Sequence, residues 1–179
     1  MDERKPRRLD EEGLWNYALR ALGGRAYSIG EMRDKLGRRA EVGGDVERVL
    51  ARLKESKYLD DGQFAEGFAT ARLANERFGK RRVLQDLRHR RVAPALAEKT
   101  VRAVYEEVDE GGLVEEWIRR KYRTKEREGL FQEEKDLASA YRRLVRAGFQ
   151  TGEIVRALKK FAQNPDLLDN FEPPEETEE

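Results

Sequence analysis

Apolar residues recur along this chain in three sets that share one spacing. Each set starts at a leucine and continues ten, fourteen and seventeen residues later, and the three leucines are 51 and 57 residues apart. The sets are Leu36, Val46, Leu50 and Leu53; Leu87, Ala97, Val101 and Val104; and Leu144, Ile154, Leu158 and Phe161. Steps of three and four residues place side chains on one face of an α-helix. A unit that recurs in this way is typical of a tandem array whose neighbouring units pack on each other.

Helix start and stop signals divide each unit into three short helices. Gly23-Gly24 ends a first amphipathic run, and Ser28 with Glu31 forms a predicted capping box for the next helix. Pro94, the only proline between Pro6 and Pro165, stands where a first helical turn tolerates it. We therefore predict an all-α fold of three tandem three-helix-bundle repeats in an elongated array, with its curvature left open. The predicted boundaries are a charged arm 1–9, units 10–58, 59–109 and 110–163, and an acidic, disordered tail 164–179.

The charges are abundant and strongly segregated. Charged residues make up 41% of the chain and hydrophobic residues 38%, with a net charge of only +1. Residues 72–91 carry eight basic residues and two acids, whereas seven acids and no base follow Lys160. A basic middle beside an acidic tail indicates a polyanion or an acidic protein surface as partner.

Catalytic and metal-binding chemistry is poorly represented. There is no cysteine, and the single histidine, His89, is surrounded by arginines, so we expect no zinc site and no Ser-His or Cys-His nucleophile. No phosphate-binding loop motif is present. Asp60 and Asp61 are the one pair that could hold Mg²⁺, but we favour Asp60 as a helix cap, with Gln63 three residues later. We predict no enzyme activity, no metal and no cofactor.

The chain shows no apolar run long enough for a membrane helix, and its first residues are too charged for a signal peptide. No heptad seam is visible. We therefore expect a cytoplasmic monomer.

The basic residues are the candidate binding groups. Between residues 72 and 91 arginine outnumbers lysine seven to one, and the planar guanidinium group suits phosphate and carboxylate recognition. A second basic run lies at 119–127, and a third group lies in the last unit. The predicted contact residues are Arg81, Arg82, Arg88, Arg90, Arg91, Lys121, Arg142, Arg143 and Arg146. A solvated helix surface is the alternative for each cluster. Trp15 and Trp117 are expected in the core rather than stacked on bases.

Four segments resemble the RecX family of bacterial regulators of the RecA recombinase. They are Arg25-Ala26-Tyr27-Ser28-Ile29-Gly30-Glu31-Met32-Arg33-Asp34-Lys35-Leu36, Tyr58-Leu59-Asp60-Asp61-Gly62-Gln63-Phe64-Ala65, Phe78-Gly79-Lys80-Arg81-Arg82 and Arg146-Ala147-Gly148-Phe149. The second of these is the most specific, and the resemblance covers residues 12–162. The chain departs from the family at Ala40 and Arg91, where a glycine often follows the middle helix.

This resemblance implies a non-enzymatic protein that binds RecA–DNA filaments along their groove. The implied partners are the RecA filament and the phosphate backbone of its single-stranded DNA. The implied effect is to limit ATP hydrolysis, strand exchange and the coprotease activity of the SOS response, which connects the chain to DNA repair and recombination. Two alternatives stay open: a sequence-neutral DNA-binding protein that needs no recombinase, and a helical adaptor that binds only proteins.

Overall fold

The computed structural model describes residues 8–123 and 130–164 of the chain. Within these residues the secondary structure is helical, apart from the two isolated bridges Leu9–Ala40 and Phe131–Ala162. The all-α prediction is therefore confirmed. Most of the predicted charged arm and acidic tail lie outside the described residues, as do Lys125 and Arg127. Among the residues that the structure describes, no helix combines the length and the apolar character that a membrane span requires.

The chain divides into two compact units. The first unit comprises the chain up to Phe68 together with Asp86–Thr100, and the second comprises Ala69–Gln85 and the chain from Val101 onward. Some helices contribute residues to both units. In chain order the helices are α1 (Glu11–Leu22), α2 (Ile29–Gly37), α3 (Gly43–Glu55), α4 (Asp61–Ala71), α5 (Lys80–His89), α6 (Pro94–Val104), α7 (Glu110–Tyr122), α8 (Glu134–Arg146) and α9 (Thr151–Phe161). A π-helical turn, Arg72–Glu76, continues α4.

In the first unit, helices α1, α2 and α3 pack against one another. Their apolar faces bury Leu14, Met32, Leu36 and Leu53 completely. Trp15 also belongs to this core, as predicted, and lies edge-on to Tyr58. Short helices of this length are marginal alone, so the stability of each depends on this shared core.

In the second unit, α9 packs against both α7 and α8. Ile118, Leu144, Phe149 and Phe161 are fully buried there. Burial of such large side chains contributes roughly 2 kcal/mol each, which offsets the entropy cost of ordering the helices.

The apolar spacing identified in the sequence corresponds closely to the core. All its positions are buried except Val104, which is half-buried. Val104 is the last residue of α6, and its neighbour Tyr105 is 1% exposed and takes the inward position instead.

The motif carboxylates are helix caps. The capping box is confirmed, because the Ser28 hydroxyl accepts a hydrogen bond from the Glu31 amide at 3.0 Å and the Glu31 carboxylate accepts one from the Ser28 amide. Asp60 accepts a bond from the Gln63 amide at 3.0 Å, which confirms its predicted capping role. Asp61 accepts one from the Ile29 amide at 2.7 Å and so caps α2. Both acids of the candidate Mg²⁺ pair are thus engaged, and no metal-binding cluster of three acids or histidines occurs in the described residues.

One backbone junction recurs after the middle helix of each predicted unit. The carbonyl three residues beyond the first leucine of each apolar set accepts a hydrogen bond from an earlier segment. The acceptors are Arg39, Arg90 and Ala147, and the donors are, in the same order, the Leu9 amide, the Ser28 hydroxyl and the Gly79 amide. The first two junctions lie in the first unit and the third lies in the second unit. The repeat seen in the sequence is therefore also a repeat of contacts to one backbone carbonyl.

Glycine is required at the third junction because two backbone segments meet there. A Cβ atom on Gly79 would lie 2.2 Å from the Gly148 carbonyl oxygen, and Gly148 has φ +89°. Arg91 occupies the equivalent position after α5 and has φ 58°. Arg91 therefore adopts the left-handed conformation that glycine adopts without strain, and its side chain makes that conformation less favourable.

Candidate nucleic-acid interface

The predicted contact residues of the first unit are paired with carboxylates. A guanidinium nitrogen of Arg88 lies 3.1 Å from a carboxylate oxygen of Glu98, and one of Arg91 lies 2.5 Å from a carboxylate oxygen of Asp34. Arg90 lies 3.0 Å from Glu31. The partners of Arg90 and Arg91 come from α2, far away in the sequence, which explains why the local charge count shows an excess of positive charge.

Arg90 is the least exposed of these three arginines, with 29% of its side chain accessible. Its guanidinium carbon lies 5.2 Å from the centroid of the Phe64 ring and 5.6 Å from that of Phe68. The guanidinium also donates a hydrogen bond to the Ala26 carbonyl. Arg90 thus acts as a packed, hydrogen-bonded part of the first unit as well as a surface charge.

A cleft of about 410 Å³ in the second unit is lined by basic and aromatic side chains. Its lining consists of Phe78, Trp117, Lys121, Arg143, Arg146 and Ala147. No acidic residue is among the described residues that line it. We call this feature the basic–aromatic cleft. Three of the nine predicted contact residues therefore converge on one concave site.

Helix geometry explains one part of this convergence, the pairing of side chains on each helix. Trp117 and Lys121 are four residues apart on α7, and Arg143 and Arg146 are three apart on α8, so each pair shares one face of its helix. The three cations also lie in the last turns of their helices, where their interaction with the helix dipole stabilises each helix. This stabilisation accounts for cations at helix ends, but it does not require the two helices to present them to one cleft.

Phe78 is held at the cleft through its backbone. Its carbonyl accepts a 2.7 Å hydrogen bond from the Tyr105 hydroxyl. Burial raises the pKa of Tyr105 strongly, and the negative charge of Glu110 adds to the effect. The neighbouring Gly79 amide donates to the Ala147 carbonyl at 2.8 Å, which holds the start of α5 against the end of α8.

Other predicted contact residues lie beside this cleft. The guanidinium carbon of Arg82 lies 5.6 Å from the centroid of the Phe78 ring, and the Arg81 amide donates to the Gly148 carbonyl at 3.2 Å. Arg142 is exposed, and its carbonyl accepts a 3.3 Å hydrogen bond from Arg146.

Tyr122 lies behind Arg143, with its ring centroid 6.0 Å from the guanidinium carbon. Burial raises the pKa of Tyr122, and the positive charge of Arg143 opposes that shift. The end of α7 therefore contributes a cation to the cleft through Lys121 and an aromatic support for a second cation through Tyr122.

A second cleft in the same unit, of about 660 Å³, has the opposite character. It includes the carboxylate of Glu115, whose side chain is 8% exposed and accepts bonds from Arg119 at 2.7 Å and Lys160 at 2.6 Å. Within this cleft the positive charges are therefore matched by a buried acid. Arg119 belongs to the same basic run as Lys121, so the two helix faces of that run have different roles.

Three residues that line the cleft were not among the predicted contacts, namely Trp117, Phe78 and Ala147. Trp117 is half-buried, and its ring lies edge-on to Phe149 with centroids 6.5 Å apart. It therefore supports the core, as expected, and also lines the cleft. Its four-residue spacing from Lys121 on α7 is the signal that could have identified it as a residue of the same helix face.

Comparison with known proteins agrees with this architecture. The model of the first three-helix domain of RecX matches residues 15–53, and that of the second matches residues 60–101. A regulatory protein RecX of Deinococcus radiodurans is 35% identical over 98% of this chain and 79% of its own length. The chain belongs to the RecX family. It is thus a member of a family of regulatory proteins, and the resemblance found in its motifs is confirmed.

Two further relatives show how far the similarity extends. A regulatory protein RecX of Halorhodospira halophila is 33% identical over 87% of this chain and 91% of its own length. The crystal structure of RecX from Lactobacillus salivarius superimposes with a TM-score of 0.63 at 17% identity, covering 88% of this chain and 97% of that one. The latter similarity shows the fold alone.

Proposed function

We propose that this chain binds RecA–DNA filaments and limits recombinase activities, namely ATP hydrolysis, strand exchange and coprotease function. The observation that carries the proposal is the basic–aromatic cleft, where Lys121, Arg143 and Arg146 meet without a lining carboxylate among the described residues. Cations without acidic neighbours attract phosphate groups and release counterions on binding. Membership of a regulatory family supports the same function.

The remaining predicted contacts lie in both units and have the same proposed role. Arg81, Arg82 and Arg142 contribute from beside the cleft. Arg88, Arg90 and Arg91 contribute less, because each must exchange a carboxylate of its own chain for a phosphate. We propose that the three predicted units, 10–58, 59–109 and 110–163, act together as a cytoplasmic monomer.

The decisive experiment is a titration of single-stranded-DNA-dependent ATP hydrolysis by the cognate recombinase with this protein. Inhibition at stoichiometric ratios to the filament is expected. An unchanged rate at severalfold excess of the protein contradicts the proposal.

The charge of the cleft also favours a second candidate, a sequence-neutral DNA-binding protein that needs no recombinase. Competition separates the two functions. Under our proposal, bare single-stranded DNA at physiological salt binds much more weakly than the filament does. Equal affinities for both ligands support the second candidate.

A further inference from the structure

The basic–aromatic cleft combines two kinds of side chain that recognise different parts of a ligand. Lys121, Arg143 and Arg146 supply positive charge, and Trp117 and Phe78 supply aromatic surface. A site for phosphate alone requires only the cations. The aromatic residues indicate that the ligand has a flat, apolar part next to its anionic part.

The two aromatic rings are held by their neighbours, and each keeps part of its surface exposed. Phe78 is half-buried, and the guanidinium carbons of Arg72 and Arg82 lie 5.9 and 5.6 Å from its ring centroid. Trp117 is fixed by its edge-on contact with Phe149. Rings held in place in this way lose little conformational freedom when a planar group binds to them.

The cleft opens to solvent, and its volume of about 410 Å³ has room for a group the size of one nucleotide. An aromatic platform beside basic side chains is the arrangement by which proteins bind single strands without reading their sequence. In a duplex the base faces are stacked inside and cannot reach such a platform.

We infer that the basic–aromatic cleft binds one unpaired nucleotide of a single strand. Its base stacks on Trp117 and Phe78, and the flanking phosphates contact Lys121, Arg143 and Arg146. This inference rests on the proposed function, because it assigns the part of the DNA that the same surface contacts. It adds that the base itself, and not the phosphate backbone alone, contributes to binding.

The first experiment compares two oligonucleotides on the unmodified protein by fluorescence anisotropy. One is a thymidine oligonucleotide, and the other is an abasic strand of equal length and charge. Binding of the thymidine strand is expected to be roughly tenfold tighter, the effect typical of one stacked base. Equal affinities for the two strands would overturn the inference.

The second experiment locates the base contact. The chain has two tryptophans, so a Trp15→Phe variant reports on Trp117 alone. The thymidine strand is expected to quench its fluorescence, whereas the abasic strand leaves it unchanged. Trp117→Leu should reduce the thymidine preference severalfold, and Trp117→Phe should retain most of it. Thermal unfolding of each variant verifies that it is folded, and the unmodified protein gives the affinity ratio independently of any variant.

Two results contradict the inference. One is quenching by both strands. The other is displacement of the thymidine strand by polyglutamate but not by thymidine mononucleotide.

These results are distinguishable from a failure of the proposed function. If the protein prefers the thymidine strand but leaves recombinase ATP hydrolysis unchanged, the nucleotide site is supported and the regulatory function is contradicted. If hydrolysis is inhibited while both strands bind equally, only the nucleotide site fails.

Discussion

The predicted contact residues of the two compact units carry their positive charge in different surroundings. In the first unit, Arg88, Arg90 and Arg91 each lie beside a carboxylate, and Arg90 also packs on two phenylalanine rings. In the second unit, Lys121, Arg143 and Arg146 line a cleft whose described lining contains no acid. Similar residue types thus stabilise one unit and form a candidate binding site in the other. Local charge density alone does not identify a binding surface.

Removing the three positive charges of the cleft should have the largest effect on filament binding. The triple variant Lys121→Gln, Arg143→Gln, Arg146→Gln is expected to bind filaments roughly 100-fold more weakly and to lower the salt dependence of log K by about 2. Titrations at several salt concentrations measure both quantities.

The matched control removes three exposed, paired arginines from the first unit: Arg33→Gln, Arg88→Gln, Arg91→Gln. It changes the net charge equally, but we expect a loss of less than about threefold, because these charges are already neutralised. Equal losses in the two triple variants would show that only total charge matters.

Arg90→Met tests the structural role of arginine in the first unit. It removes the ion pair to half-buried Glu31 and the hydrogen bond to Ala26, so we expect a loss of about 2 kcal/mol in the free energy of unfolding. Urea denaturation measures this loss. Arg25→Met is the control, since Arg25 contacts the same Glu31 and the same Ala26 carbonyl but is 45% exposed, and it should cost less than about 1 kcal/mol. A reversed order of the two costs would contradict the assignment.

Tyr105→Phe tests how the cleft of the second unit is supported. Loss of the hydrogen bond to the Phe78 carbonyl should destabilise the protein by about 1 kcal/mol at neutral pH.

Burial raises the pKa of Tyr105, so the folded state retains this proton at a pH where the unfolded chain releases it. The contribution is therefore complete below about pH 10 and is lost as the pH rises further. Between pH 8 and about pH 11, the free energy of unfolding should fall more steeply with pH for the unmodified protein than for Tyr105→Phe. Parallel curves would contradict this role of the Tyr105 hydroxyl.

Arg91→Gly is expected to have the smallest effect, and it should stabilise the protein. Glycine relieves the cost of φ 58°, while the exposed pair with Asp34 is lost, which leaves a gain of about 0.5 kcal/mol. Thermal unfolding measures the gain, and Lys57→Gly, at another left-handed position with φ 58°, should change stability in the same direction. A clear loss in the Arg91 variant would show that the Asp34 pair is stronger than an ordinary exposed ion pair.

Much of the fold was predictable because helix signals are local. The spacing from Leu36 to Leu53 identified core positions, and Ser28, Glu31 and Asp60 identified caps, since each depends on residues within a few turns. The candidate site was predicted only in part. Lys121, Arg143 and Arg146 were named as contacts, but their meeting with Phe78 in one cleft depends on how separate helices pack.

The sequence by itself determined the helical repeat, its buried positions and the abundance of exposed arginine. The tertiary structure decided which arginines are neutralised, because the carboxylates of Glu31 and Asp34 reach Arg90 and Arg91 only after the chain has folded. It also decided where positive charge and aromatic surface coincide, because α7, α8 and the segment before α5 contribute to the same cleft. Periodicity records what one helix buries, whereas charge pairing depends on distances between residues that are remote in the sequence.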